Sequence, residues 1–340
     1  CNGEIYNFKE LRKQFSYEYK SSSDCEVLIP MFKELGIKKM MSMLDGEFAF
    51  VIYDEQTGGV YAGRDPIGIR PMFIGRTKSG KVAFASEVKA LQDFCLNIEA
   101  FPPGSYYDNG VIKKYIDLSE VAQFYNHDIG EISENINSLL SKAVKKRLNS
   151  DAPVGFLLSG GLDSSLVCAI AQRHSQVPIK TFAVGMSGDA IDLKYAKEVA
   201  DYIGSEHTEV IITKDDVLSC IKQVIMQLES YDITTIRASI GMYLICKYIK
   251  ANTDIKVLMT GEVSDEIFGY KYTDFAPSSE EFQREAAKRV KELYMYDVLR
   301  ADRCIASHSL EARVPFSDKD FVSYVTVSYT HLTLPTTPYV

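Results

Sequence analysis

The sequence predicts two domains of different design, an α+β half built on an antiparallel sheet and an α/β half built on a parallel one. Three observations lead there. The 340 residues suit two domains of ordinary size. Short apolar stretches punctuated by turns follow one another between residues 46 and 87, the pattern of consecutive hairpins. From about residue 130, strand-like and helix-like stretches alternate, the pattern of a parallel sheet with both faces covered.

In the first half, Val27, Leu28, Met31, Phe32 and Leu35 recur at helical spacing, and helices are expected over 7–20 and 24–36. Strands are expected at GEFAFVIYD (46–54), GVYAGRD (59–65), PMFIGR (71–76) and KVAFASE (81–87). The opening NGE reads as a turn, and FPPGSYYDNG (101–110) as a linker or crossing hairpin. In the second half, helix 131–148 leads to strand 153–158, a glycine loop and helix 164–174. Strand 179–185, helix 192–203, strand 207–212, helices 215–229 and 235–251 and strand 255–260 follow. The expected boundaries are therefore 1–110, a linker over 111–130, a second domain over 131–325 and a non-native-looking tail over 326–340.

Composition narrows the function classes. A net charge of −8 argues against a general basic face for nucleic acid. Lys145, Lys146 and Arg147 read as a solvated helix face. The seven cysteines (1, 25, 95, 168, 220, 246 and 304) are never spaced CxxC, so reduced thiols in a cytoplasmic protein are expected. The five histidines show no metal-ligand spacing. From Phe321 onward there is no Asp, Glu, Lys or Arg, yet threonines and two prolines argue against a membrane helix. CNGEIYNFKELR starts in mid-pattern, no signal peptide is seen, and a fragment of a longer protein is expected.

Residues 157–165, LLSGGLDSS, run from the end of a strand through Gly-Gly into a helix. Such a loop aims backbone N–H groups at whatever lies above it, and phosphate is the natural guest. A lysine-bearing phosphate loop would match GxxxxGK[ST]; this one carries Asp163, and a carboxylate tolerates phosphate only with a cation between them. Mg²⁺ bridging Asp163 and Asp265 to phosphate oxygens would resolve the conflict, with Gly160, Gly161, Ser164 and Ser165 as donors. The plainer reading is a Gly-Gly turn before a helix capped by Asp163. Ligands of parallel sheets bind beyond the carboxyl ends of strands, so the loops after 153–158 and 255–260 should share a crevice. The second loop, TGEVSDE (260–266), brings Glu262, Asp265 and Glu266.

SGGLDSS (159–165) resembles the pyrophosphate loop of the ATP-pyrophosphatase family. NGEIYN (2–7), SDCEV (23–27), LDGEFAF (44–50), GRDPIGIRP (63–71), SEVKAL (86–91), FPPGSY (101–106), TTIRAS (234–239), GEVSDE (261–266) and SLEARVPF (309–316) are similar to glutamine-dependent asparagine synthetases. The resemblance implies an incomplete class II glutaminase domain of the N-terminal-nucleophile type, followed by an adenine nucleotide alpha hydrolase-like ATP-pyrophosphatase domain. It implies a ligase that converts aspartate to asparagine through β-aspartyl-AMP, with ammonia from glutamine in the intact protein.

By that likeness Leu158, Ser159, Gly160, Gly161, Asp163, Ser164, Ser165, Val184 and Gly261 hold ATP, and Asp163 and Asp265 hold Mg²⁺. Glu262 and Arg237 serve catalysis, and Thr234, Thr235 and Arg237 grip aspartate. Asn2 and Gly3 form an oxyanion hole, while Glu4 and Asp24 position glutamine. The implied partners are aspartate, ATP and glutamine or ammonia, with neither nucleic acid nor membrane; the family's frequent dimers allow a homodimer.

The likeness breaks at three places. The family's nucleophilic cysteine lies well upstream of NGEIYN, whereas Cys1 adjoins Asn2 and reads as a coincidence, so glutaminase activity is not expected of this stretch. A lysine that the family carries beyond SLEARVPF has no counterpart. Val263 stands where the family's GEGSDE has glycine, and at positive φ a β-branched residue would strain the loop. Two alternatives stay open: another amide-forming ATP-pyrophosphatase, such as a β-lactam synthetase-like enzyme, and a non-catalytic ATP-binding remnant.

Overall fold

The computed structural model describes residues 1–120, 128–188, 190–269 and 273–328. The chain divides into two compact units after Glu120.

The first unit comprises β1 (Asn2–Ile5), α1 (Phe8–Gln14), α2 (Leu28–Met43), β2 (Gly46–Asp54), β3 (Gly59–Arg64), β4 (Phe73–Thr77), β5 (Val82–Ala85), β6 (Cys95–Ala100), β7 (Ser105–Asp108) and β8 (Val111–Lys114). Strands β1-β2-β3-β7-β8 form one antiparallel sheet and β5-β4-β6 another. The alternation of side chains along a strand sorts two cores. Phe48 and Phe50 of β2 pack with Leu11, Met31 and Met40 of the helices. Ala49 between them joins Ala62, Met72, Phe101 and Tyr107, with Ile74 and Phe84 of the smaller sheet packed against them.

Three expectations are corrected in this unit. Residues 2–5 are a strand and not a turn. Gly3 sits at φ 125°, and a Cβ there would lie 1.9 Å from the Glu47 carbonyl oxygen, so the Asn-Gly step serves the close approach of β1 to β2. The expected linker over 111–130 begins with β8, which hairpins onto β7 through Asn109 and Gly110, both at positive φ. The unit thus runs to Glu120, while residues 121–127 of that linker lie outside the described residues. The helix expected over 7–20 ends at Gln14, and that over 24–36 is a 3₁₀ turn (Asp24–Val27) followed by α2, which continues past Gly36 at φ 69°.

GRDPIGIRP proves to be a self-braced loop. The buried Arg64 guanidinium donates to the carbonyls of Gly68, Arg70 and Phe101, and the Asp65 carboxylate accepts from the N–H groups of Ile67, Gly68, Ile69 and Arg70. Both charges are needed because a buried loop must satisfy its backbone groups locally.

The second unit comprises α3 (Ile129–Arg147), β9 (Val154–Leu157), α4 (Leu162–His174), β10 (Lys180–Met186), α5 (Ile191–Ile203), β11 (Glu206–Ile212), α6 (Lys214–Leu228) and α7 (Ile233–Asn252). It continues with β12 (Val257–Met259), α8 (Ser264–Phe268), α9 (Ser279–Glu292), α10 (Asp297–Ala306), β13 (Glu311–Arg313) and α11 (Lys319–Val327). All strand pairs are parallel, in the order β11-β10-β9-β12-β13. The chain leaves the central β9 toward β10 and β11, then returns to add β12 and β13 on its other side. The order therefore reverses between β9 and β12, and a crevice opens beyond their carboxyl ends.

One face of the sheet packs on α6, α7 and α10 through Phe182, Val210, Leu258, Val224, Ile245, Ile249 and Ile305. Helix starts follow their caps: Thr213 and Asp216 form a capping box for α6, and Asp232 accepts from the Thr235 N–H at the start of α7. The basic run 145–147 is not a solvated face throughout. Lys145 is exposed, but Arg147 is buried against Asp318, whose carboxylate oxygen is 3.0 Å away, because Asp318 brings a charge into the core that needs a counter-ion. Of the expected tail, residues 329–340 lie outside the described residues and 326–327 belong to α11.

Candidate active site

The loop between β9 and α4 is shaped by its glycines. Gly160 adopts φ 81°, and a Cβ there would lie 2.6 Å from the Ala196 backbone nitrogen. Gly161, not Asp163, is the N-cap of α4; Asp163 sits in the first turn, where the helix dipole favours a carboxylate. The serines brace the loop: the Ser164 hydroxyl accepts from the Ser159 N–H at 3.2 Å, and the Ser165 hydroxyl donates to the Gly161 carbonyl at 2.6 Å.

Across the switch point, the loop after β12 meets this one. A Cβ on Gly261 would lie 2.8 Å from the Ser164 nitrogen, and the Ser264 hydroxyl donates to Asp163 Oδ1 at 2.8 Å. The two acidic loops thus share a cavity of about 440 Å³ lined by Leu158, Ser159, Gly161, Asp163, Ser164, Val184, Gly261, Glu262, Val263, Asp265 and Glu266. Phe182, Ala183, Met242 and Ile245 supply an apolar wall. Val263 stands at φ 83°, the left-handed region disfavoured for a β-branched residue, with its side chain buried.

Gly160 and Ser165 brace the loop without lining the cavity, and Thr234, Thr235 and Arg237 do not line it either. Ala238, Gly241, Met242 and Ile245 form one stripe of α7 along the cavity, and that stripe continued one turn toward the N-terminus carries Thr234 and Arg237, both exposed. Arg237 has no ion-pair partner among the described residues. Thr235 is buried.

The cavity's electrostatics are set by crowded carboxylates. Burial, then Asp163, Glu262 and Asp297, push Asp265 up to about 6. Burial raises Asp163 despite the Ser264 hydrogen bond, and burial with Asp297 raises Glu266. Burial also raises Glu262, opposed by the guanidinium of Arg300, which lies 2.5 Å from its Oε2. Arg300 and Asp297, both on α10 and both lining the cavity, escaped the sequence reading. Their signal was present: α10 reads DVLRADRCIA, with charged residues on an otherwise apolar helix, a pattern that marks a buried polar cluster.

In the first unit, Asn2, Gly3 and Glu4 lie on β1, and Asp24 is tied to that strand. The Asp24 carboxylate accepts from the Ile5 N–H at 2.6 Å, tying the 3₁₀ turn to β1, and the Asn2 side-chain amide donates to Ser86 Oγ at 3.4 Å. The half-buried Cys25 thiol lies 3.6 Å from the Gly3 carbonyl oxygen and 3.6 Å from Asp24 Oδ2. Burial and Asp24 push that thiol up to about 12, so it is not a thiolate at neutral pH.

Fold and site together define a doubly wound α/β domain with an acidic cleft at its switch point, joined to a unit of layered antiparallel sheets. The asparagine synthase family model matches residues 135–284 and 273–328, and the glutamine amidotransferase domain model matches residues 1–136. The chain belongs to the asparagine synthase family. It is 44% identical to the asparagine synthetase [glutamine-hydrolyzing] of Mus musculus and 43% identical to that of Homo sapiens, over 95% of this chain in each case. The chain spans 63% of the length of these relatives.

Proposed function

We propose that the second unit uses ATP to activate the side-chain carboxylate of aspartate and forms asparagine from the adenylate and ammonia. The observation that carries this reading is the joining of the two acidic loops through Ser264 and Asp163, at a cavity with an apolar wall. Adenine suits the wall of Phe182, Val184, Met242 and Ile245, and the phosphates suit the N-terminus of α4. Aspartate suits the rim, where Thr234 and the unpaired Arg237 fork can grip its carboxylate.

In the first step an oxygen of the aspartate side chain attacks the α-phosphorus, and the bond to the departing pyrophosphate breaks. In the second, the ammonia lone pair attacks the acyl carbon and AMP leaves with the electrons of the C–O bond. Two displacements with good leaving groups replace one with oxide. Glu262, which Arg300 holds, would take the proton that the attacking nitrogen must lose.

Asp163 and Asp265 would hold Mg²⁺. Among the described residues no three acidic, histidine or cysteine groups form a metal cage. Two carboxylates with raised proton affinity on one cavity suit a cation that takes its remaining ligands from phosphate and water. The ion would neutralise phosphate charge.

For the first unit the proposal is that Asn2, Gly3, Glu4 and Asp24 bind glutamine as the nitrogen source, a reading supported by the match to the amidotransferase model. Cys25 is not proposed as its nucleophile. A cytoplasmic setting belongs to the same proposal, since all seven cysteines are free thiols.

The test is calorimetric titration of the purified chain with MgATP, followed by assay of pyrophosphate with aspartate, glutamate or no amino acid. Binding, aspartate-dependent pyrophosphate and equimolar AMP and asparagine are expected with ammonia present. Binding without pyrophosphate returns the remnant reading, and release with a different acceptor returns the other amide-forming class. No association at all removes the nucleotide site.

A further inference from the structure

Arg300 is the one cationic side chain among the described residues lining the cavity. Its Nη2 lies 2.5 Å from Glu262 Oε2, and its Nη1 lies 2.9 Å from Asp297 Oδ1, one turn earlier on α10. All three side chains are largely buried, in a wall that also carries Asp265 and Glu266.

Arg64, in the first unit, is bonded differently. Arg64 sends Nε and both Nη groups to backbone carbonyls. Arg300 instead spends its fork on two carboxylates. It is well arranged to hold a carboxylate oxygen in one place.

We propose that Arg300 is a positioning residue for Glu262: Asp297 fixes the guanidinium, and the guanidinium fixes the Glu262 carboxylate where it meets the ammonia attacking the aspartyl adenylate. Glu262 starts the loop that turns at Val263 into α8, and a side chain hung on such a loop has rotamers to lose. The ion pair selects one of them before substrate arrives. This inference rests on the proposed aspartate activation and adds a residue on α10 to it.

The experiment compares wild type, Arg300→Gln, Arg300→Lys, Glu262→Gln and the double variant Glu262→Gln/Arg300→Gln. It measures asparagine formation with ammonia present, and aspartate-dependent pyrophosphate release, over a range of MgATP, with thermal unfolding in parallel. R300Q is expected to lower kcat for asparagine formation about 100-fold, the scale of a misplaced catalytic group, with KM for ATP changed by less than about threefold. R300K should recover part of that loss, since a cation returns without the fork. On the E262Q background, R300Q should add nothing, because there is no carboxylate left to place. In the double variant Glu262 is not left charged without its partner and only Asp297 loses one, while Arg300→Lys keeps the cation and remains informative should R300Q fail to fold. Independent losses that multiply, or an R300Q kcat within about threefold of wild type, overturn the proposal while aspartate activation stands. A wild type that releases no pyrophosphate with aspartate sinks both.

Discussion

The Ser264 hydroxyl donates to Asp163 Oδ1 at 2.8 Å, a hydrogen bond between residues 101 apart in sequence that crosses the switch point of the sheet. It joins the start of α8 to the first turn of α4. Neither loop alone has the means to aim Asp163: Gly161 provides no side-chain cap, and the serines of the glycine loop are bonded to one another. The partner from the other loop sets the carboxylate's direction.

Replacing Ser264 by alanine removes that donor and leaves Asp163 half-buried with one fewer partner. A hydrogen bond to a charged group is worth about 1.5–3 kcal/mol, so S264A is expected to weaken MgATP binding by roughly tenfold to a hundredfold. Calorimetry on S264A and D163A decides it. If S264A binds as wild type does while D163A does not, the bond does not orient Asp163.

The carboxylates of the cleft carry a pH signature. Asp265 titrates near 3.8 in an unfolded chain and at about 6 here, with burial as the first cause. A raised acid keeps its proton longer when folded, so its contribution to stability is full below about pH 4 and is lost as pH rises through about 6. Asp265→Asn escapes that loss. The melting temperature of D265N should match wild type near pH 4 and exceed it increasingly up to about pH 7. Mg²⁺ should raise the wild-type value at neutral pH and have little effect on D265N. A difference that stays flat with pH would mean that Asp265 is not held protonated by its surroundings.

Much of this site was legible because its chemistry is local. LLSGGLDSS places strand, turn and helix within nine residues, and TGEVSDE places its acids within five, so each loop could be read from its own residues. The strand order that unites them follows from alternating strands and helices. What could not be read was anything whose meaning lies in a distant partner. β13 is three residues, Glu-Ala-Arg, with no apolar run, and becomes a strand only beside β12. β1 is hidden by an Asn-Gly step whose glycine answers to the Glu47 carbonyl. Arg300 acquires a role only through Glu262, and Arg147 is buried only because Asp318 arrives from another element.

Val263 bears out the strain expected of a valine at positive φ, with φ 83° and ψ −20°. The left-handed conformation costs an L-residue about 1–2 kcal/mol, while burying a valine side chain gains about 1.5–3 kcal/mol. The two terms nearly offset. Val263→Gly should therefore cost no more than about 1 kcal/mol, against about 3 kcal/mol for Val257→Gly in the extended and equally buried β12. Urea unfolding of the two variants side by side measures the difference. Equal costs would show that the turn at 263 stores no strain.

Asp318 ties the segment after β13 to the end of α3. Its Oδ2 lies 3.0 Å from Arg147 Nη1 and 2.6 Å from Lys146 Nζ, and its Oδ1 accepts from the Asp320 N–H at the start of α11. Burial pushes this carboxyl up, but Arg147 and Lys146 pull it further down, so the net shift is downward. A depressed acid contributes stability that is present above its unfolded value of 3.8 and lost as pH falls through the lower folded one. Asp318→Asn keeps an oxygen for the cap and removes only the charge that faces Arg147 and Lys146. Breaking such a pair costs about 3–5 kcal/mol, so D318N should unfold at a much lower urea concentration at neutral pH. The gap to wild type should narrow as the pH is taken down through the lowered folded value, where wild type loses the same charge. Replacing both partners, as in R147M/D318L, should be milder than D318N alone, because no unpaired charge remains in the core. If D318N and wild type share one urea midpoint at neutral pH, the pair does not anchor α3, and the stability of this corner comes from its apolar neighbours Phe316 and Phe321.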